Sequence, residues 1–286
     1  MRSALALIVL ATLGACASAP TCKLPTIPQP VHPWLWTVRG PHGAIVLFGT
    51  HHGAAEDDLP AAAKGLLASS KVLVVEAEEG GKYDTYDQNP DARYYLRRPE
   101  VIPSLMKTLS NDEFAELKGR LHVSSQQLAK MRPWVAQSLL MRTVVVFPSP
   151  NMATAISDLA EDHHIRVDAL DSWQMQTVFL DMVSDAHALQ QALYVKDLAC
   201  AFDADVNRYR SGLEEAYAAS ETSSPNPNRL PAIEERQRVW TDKLAAYLES
   251  GEKAFVAVGV QNIVGDQGVL AALAARGYAV ERIDPH

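Results

Sequence analysis

Cysteine is scarce in this 286-residue chain, with only Cys16, Cys22 and Cys200 present. No basic stripe interrupts a sequence whose formal net charge is -8, so binding to nucleic acid has no support. The mild acidity speaks for solubility rather than for a partner. Apolar stretches are short: the longest, Ala4 to Leu13, cannot span a bilayer. There is no solenoid-type repeat, Gly-x-Ser-x-Gly elbow, His-Glu-x-x-His helix, P-loop or dinucleotide fingerprint. Apolar residues make up 48% of the chain, enough for a full core of one large or two small domains.

The N-terminus is the most readable segment. Arg2 supplies a positive n-region, Ala4 to Leu13 an apolar h-region, and Leu13-Gly14-Ala15-Cys16 follows. This pattern predicts a secretory signal over residues 1–19. Leu-Gly-Ala-Cys resembles a bacterial lipobox, which would make Cys16 a lipidated first residue held at a membrane surface. Cleavage after Ala17-Ser18-Ala19 is the other reading. The expected location is the periplasm or cell envelope, with a lipid on Cys16 anchoring the chain to the outer membrane. In an oxidising compartment, Cys22 and Cys200 are either one disulfide or two buried thiols. Residues 20–33 hold Pro20, Pro25, Pro28, Pro30 and Pro33, the composition of an extended tether, and residues 34–286 remain as a single domain.

Within that domain, Ile45-Val46-Leu47-Phe48 reads as a buried strand that stops at Gly49, followed by Thr50-His51-His52-Gly53. Such strand ends gather ligands in open α/β sheets. One imidazole would enter a crevice while its neighbour points away. A hydrogen-bonded loop histidine is the plain alternative. Leu35 to Arg39 and Ala44 to Phe48 form a hairpin around Gly40-Pro41-His42-Gly43. Asp57 or Asp58 caps a helix to about Ser69, and Lys71 to Glu76 is the next strand, with both faces covered. A polar loop to about Asn89, near Tyr83, Tyr86, Tyr94 and Tyr95, rims a site. From Val101 to Leu248 the pattern is mostly helical, opened by Asn111, Ser124 and Pro133 and interrupted by a short strand, Arg166 to Leu170. Asp171 or Ser172 caps the helix after that strand. Residues 186–219 are one long helix or two nearly joined, 222–231 a loop, and Ala232 to Leu248 a helix stopped at Gly251. Ala254 to Val258, Gly268 to Arg276 and Ala279 to Ile283 close the chain as strand, helix and strand.

Several of these segments together resemble the TraB/GumN family, which includes the Tiki metalloproteases and is distantly related to erythromycin esterase-like and ChaN-like proteins. The carriers are Gly49-Thr50-His51-His52, the strand ending in Glu76, Arg132-Pro133-Trp134, Leu170-Asp171-Ser172 with Gln176, Glu235-Arg236-Gln237 with Trp240, and Phe255 to Gly259 leading to Gly265 and Gly268. Their order covers about His32 to Ile283. The resemblance implies an α/β fold with a mixed central sheet, flanked by helices and carrying a helical insertion. It implies an exported hydrolase, specifically a metal-dependent peptidase or esterase, acting on a peptide or small molecule. His52, Glu76 and Asn262 would hold a divalent ion (Mn, Co or Zn), and His52, Glu76, Asp171 and Arg236 would do the chemistry, with Arg236 forking onto a substrate carboxylate. Asp171 stands where the family has glutamate, but the departure that matters is Asn262, which stands where a second Gly-x-x-His would place histidine. An amide oxygen binds transition metals more weakly than imidazole. The alternative is therefore an envelope binding protein that keeps the crevice without the chemistry.

Overall fold

A computed structural model describes residues 22, 24, 33–77, 103–184, 186–195, 197–214 and 229–283. The signal segment, most of the tether, the tyrosine-bearing loop after residue 77 and residues 222–228 lie outside the described residues.

Six strands form among the described residues, those at the centre of the sheet from the most continuous apolar runs. β1 (Leu35–Arg39) and β2 (Ala44–Thr50) are the antiparallel hairpin, with Leu35 opposite Phe48. Gly40 N donates to Gly43 O at 2.8 Å across its turn. A Cβ on Gly43 would lie 2.7 Å from Gly251 Cα, so only glycine lets these two turns touch. β3 (Val72–Ala77), β4 (Arg166–Asp171) and β5 (Ala254–Gly259) are parallel to β2, and β6 (Ala279–Arg282) runs antiparallel to β1. The order β4-β3-β5-β2-β1-β6 is a mixed sheet. Every residue of β5 is buried, as expected for a central strand covered on both faces.

Parallel neighbours require crossovers, and helices supply them. α1 (Ala61–Ala68) links β2 to β3. Between β3 and β4 come α2 (Leu105–Thr108), α3 (Asn111–Leu121), α4 (Ser125–Lys130), α5 (Pro133–Val144) and α6 (Met152–Asp162). Between β4 and β5 come α7 (Trp173–Val183), α8 (Ala186–Tyr194), α9 (Leu198–Ser211) and α10 (Arg229–Ser250). α11 (Val269–Ala275) precedes β6. One apolar cluster joins the sheet (Leu47, Leu73, Phe255) to α10 (Trp240, Leu244), and a second (Leu105, Leu117, Leu128, Leu140, Leu189) fills the helical insertion. No described helix is long and apolar enough to cross a membrane.

Several helix starts follow local chemistry. Ser110 with Glu113, and Ser124 with Gln127, form reciprocal capping boxes, and Pro133 sits at the first turn of α5. Glu113 also accepts from Tyr194 OH and Gln190 Nε2 on α8. The Ser110 N–H, then the α8 donors, hold its carboxyl down at about 2.

Two expectations need correction. Neither Asp57 nor Asp58 caps an α-helix: Glu56–Asp58 is a 3-10 turn, and α1 begins only after Pro60. Asp58 is spent on the Ala55 N–H and on both Arg210 donors, at 2.8 and 2.9 Å. α10 begins at Arg229, earlier than Ala232, because a first-turn proline such as Pro231 gives up no helical hydrogen bond. Of the two readings for residues 186–219, the described part takes the second: two nearly joined helices, with Asp197 capping the second through Cys200 N. Cys22 and Cys200 are joined as a disulfide, which fixes the N-terminal segment to α9.

Candidate active site

The carboxyl ends of β2, β3, β4 and β5 share one edge of the sheet because the four strands are parallel. Thr50 is level with Gly259, and Val75 with Ala257. The strand does not stop at Gly49 as expected but runs on to Thr50. Gly49 is needed for closeness: a Cβ there would lie 3.0 Å from both Trp34 Cβ and Val260 Cβ.

The two histidines after β2 part company. His51 turns under α9, where its Nδ1 accepts from Gly53 N at 3.0 Å. That bond assigns the proton to Nε2, which faces Asp205 Oδ2 at 3.0 Å. The ring stacks on Tyr209 at 5.2 Å between centroids. Tyr209 OH donates to Gly49 O at 2.8 Å, so α9 holds the exit of β2 at two points. Burial pushes the Asp205 carboxyl up, but its bonds from His51 and Arg208 outweigh this and hold it below the usual value. His52 is exposed, and its side chain makes no hydrogen bond among the described residues.

Glu76, at the end of β3, and Asp171, at the end of β4, share Arg236 of α10. Arg236 Nη2 donates to Glu76 Oε1 and Nε to Asp171 Oδ2, both at 2.7 Å. The other Asp171 oxygen accepts from Trp240 Nε1 at 2.8 Å. Asp171 is 2% exposed and has both oxygens engaged, while Ser172 takes the capping role by accepting from Met175 N. The guanidinium lies between the rings of Phe179 and Trp240, 4.2 and 4.1 Å from their centroids. Arg236 thus forks onto two protein carboxylates, an arrangement of three groups in which one negative charge is left over. Glu76 Oε2 is the less committed oxygen: its contact with Gly259 N is 3.4 Å, and the side chain is 25% exposed.

Asn262 ends a 3-10 turn (Val260–Asn262) just beyond β5. Its backbone oxygen accepts from Gln237 Nε2 at 3.0 Å, whereas Gln237 Oε1 is buried with no partner among the described residues. Consecutive residues of α10, Arg236 and Gln237, therefore tie down Glu76 and the Asn262 turn. His52, Glu76 and Asn262 all leave neighbouring strands at the same edge. Among the described residues, no group of three or more His, Cys, Asp or Glu side chains is placed to hold a metal.

A groove of about 420 Å³ runs between α7 and α10 and has Asp171 and Arg236 at its floor.

A model of the TraB/PrgY/gumN family matches residues 34–282. The chain belongs to that family. No curated protein and no solved structure matches it. The short motifs of this TraB/PrgY/gumN chain fall at joints of the fold. Arg132 and Trp134, flanking Pro133, both donate to Asp181 of α7, the indole at 2.9 Å, and so clamp α5 to α7. Leu170-Asp171-Ser172 carries the β4 end and the α7 cap, and Glu235-Arg236-Gln237 carries the α10 bridges. Sequence reasoning missed Asp205, Tyr209 and Asp181. Each is an ordinary polar residue in a helix, with partners 154, 160 and 49 residues away.

Proposed function

We propose that this TraB/PrgY/gumN-family chain is an exported hydrolase acting on peptide or ester bonds at the shared carboxyl edge of β2, β3 and β5. The observation that carries this reading is Glu76: Arg236 fixes one oxygen, and the other is left facing the Gly259 turn, partly open to solvent. A carboxylate held by one oxygen is positioned yet able to accept a proton through the other.

The donor chemistry there fits a divalent ion. Glu76 Oε2 has only a long contact, and neither the His52 imidazole nor the Asn262 side-chain amide makes a hydrogen bond among the described residues. His52, Glu76 and Asn262 would hold Mn, Co or Zn with an open position. Such an ion, when bound, lowers the pKa of a coordinated water and polarises a carbonyl. With no ion bound, Glu76 would instead accept the water proton at Oε2. Arg236 and Gly259 N–H keep that carboxylate aimed, and His52 supplies a second proton-transfer group at the same edge. Asp171 holds Arg236 in place. The Cys22–Cys200 bond supports export, because disulfides persist in oxidising compartments. A lipid on Cys16 would then hold the enzyme at a membrane surface.

Hydrolysis of a peptide and ester panel tests this. Glu76→Gln and His52→Ala should each lower kcat/KM by about 10²–10⁴. Activity surviving both changes removes these residues from the chemistry. Metal content of wild type and of Asn262→His tests the ion, and the mass of the mature N-terminus tests Cys16. Asn262 itself favours a second reading, a binding protein of the same fold; tight ligand binding without turnover by wild type would establish it.

A further inference from the structure

α7 carries Met175, Val178 and Met182 on one face, exposed by 45%, 57% and 41%. Such a stripe is unusual on a helix already packed against a neighbour, and it lines the groove of about 420 Å³ between α7 and α10. Phe179 and Val239 complete the apolar wall. The volume is within the range of small-ligand sites. Two long, unbranched methionines at the rim let the wall adjust to different apolar shapes.

The floor decides the chemistry. Arg236 Nε and Nη2 are committed to Asp171 and Glu76, and its Nη1 makes no hydrogen bond among the described residues. Both N–H groups of Nη1 therefore remain at the inner end of an apolar trough, where they serve an acceptor. The excess negative charge shared by Glu76, Asp171 and Arg236 disfavours a second carboxylate, such as a fatty acid head or a peptide C-terminus. Glu235 at the mouth is already paired with Arg238 at 2.7 Å and adds no cation to offset it. A neutral carbonyl flanked by apolar side chains satisfies both demands. Arg236, which lines the groove, also donates to Glu76 at 2.7 Å, so the groove lies one side chain away from the β3 end.

We propose that the α7/α10 groove is a substrate subsite for an internal, apolar stretch of a peptide, with Arg236 Nη1 donating to one of its backbone carbonyls. This rests on the hydrolase reading for what happens next, but not for binding itself.

The test uses the full mature protein and fluorescently labelled acetyl-tripeptide amides built from Leu, Phe or Met, with Ser and Glu analogues beside them. Binding is followed by fluorescence anisotropy and turnover by chromatography. The variant is Val178→Glu, placed on an exposed position that leaves the core intact, and its fold is checked by circular dichroism. Apolar peptides should bind the wild type at least about tenfold more tightly than the polar ones, and Val178→Glu should erase that preference. Glu76→Gln should bind apolar peptides as the wild type does but fail to turn them over. Binding without wild-type turnover would sink the hydrolase reading and leave the subsite standing. Turnover indifferent to apolarity and to Val178→Glu would overturn the subsite and leave the hydrolase standing. Binding of phosphatidylglycerol vesicles or self-association, either one abolished by Val178→Glu while no peptide binds, would also overturn it.

Discussion

Replacing Arg236 with methionine keeps an unbranched apolar stem while deleting the charged guanidinium. The side chains of Arg236 and Asp171 are 8% and 2% exposed, so the change strands one carboxylate in the interior. Glu76 is 25% exposed and can turn to water, so its share of the penalty is small. Removing one partner of a buried ion pair costs about 3–5 kcal/mol. The loss of the Phe179–guanidinium–Trp240 stack falls within that range, because methionine refills part of the slot. At about 2–4 °C per kcal/mol, Tm should drop by about 6–20 °C, as followed by circular dichroism. Adding Asp171→Asn should then recover at least about 1 kcal/mol, because it removes the stranded charge. Arg236→Lys should remain destabilised, since one ammonium on a flexible stem does not reproduce the planar fork that bridges two acceptors, each at 2.7 Å. A loss below about 1 kcal/mol for Arg236→Met, or no recovery in the double variant, would refute the view of Asp171 as a buried anion that depends on this cation.

Asp205 lies below its usual carboxyl range in the folded state, so its stabilisation is complete above about pH 4 and disappears as the pH falls further. Asp205→Asn should therefore destabilise the protein at pH 7 and converge with wild type in acid; urea midpoints measured against pH would show parallel curves if the reasoning is wrong. Glu113, held at about 2 against an ordinary 4.5, behaves in the same sense, with its contribution full above 4.5 and lost towards about 2. Glu113→Gln should flatten that stretch of the stability profile and leave the neutral-to-alkaline stretch parallel to wild type. Reduction of Cys22–Cys200, or Cys22→Ser, opens a link between residues 178 apart, which in the chain-entropy limit costs about 5 kcal/mol. Denaturant unfolding with and without reductant measures it, and equal midpoints would show that the closed chain gains nothing.

The central strands were legible because each is a short apolar run with clear ends. Val72 to Val75 and Ala254 to Val258 could be little else in a chain of this composition. Helix starts such as Ser124 and Pro133 were legible for the same local reason. The candidate site was half legible. Glu76, Asp171 and Arg236 could be named, since strand ends and motif order mark them. What they do to one another was not legible, because it depends on α10 crossing two strand ends. The same holds for His51: nothing within its own segment points to Asp205 on α9. Where a side chain's partner lies more than a hundred residues away, residue type narrows the roles but tertiary contact selects among them. Asp58 shows this on a smaller scale, as Arg210 draws it from helix capping into an ion pair.

The crosslink at residue 22 also sets a length. Measured along the chain, Trp34 lies eighteen residues beyond Cys16, long enough for the folded body to drift well clear of a bilayer. Cys22 is only six residues beyond it, a leash of about 20 Å at full stretch. With an acyl group on Cys16, the amino end of α9 would be the part of the body nearest the lipid headgroups. The disulfide would then govern how far from the membrane, and in which orientation, the protein meets what it works on.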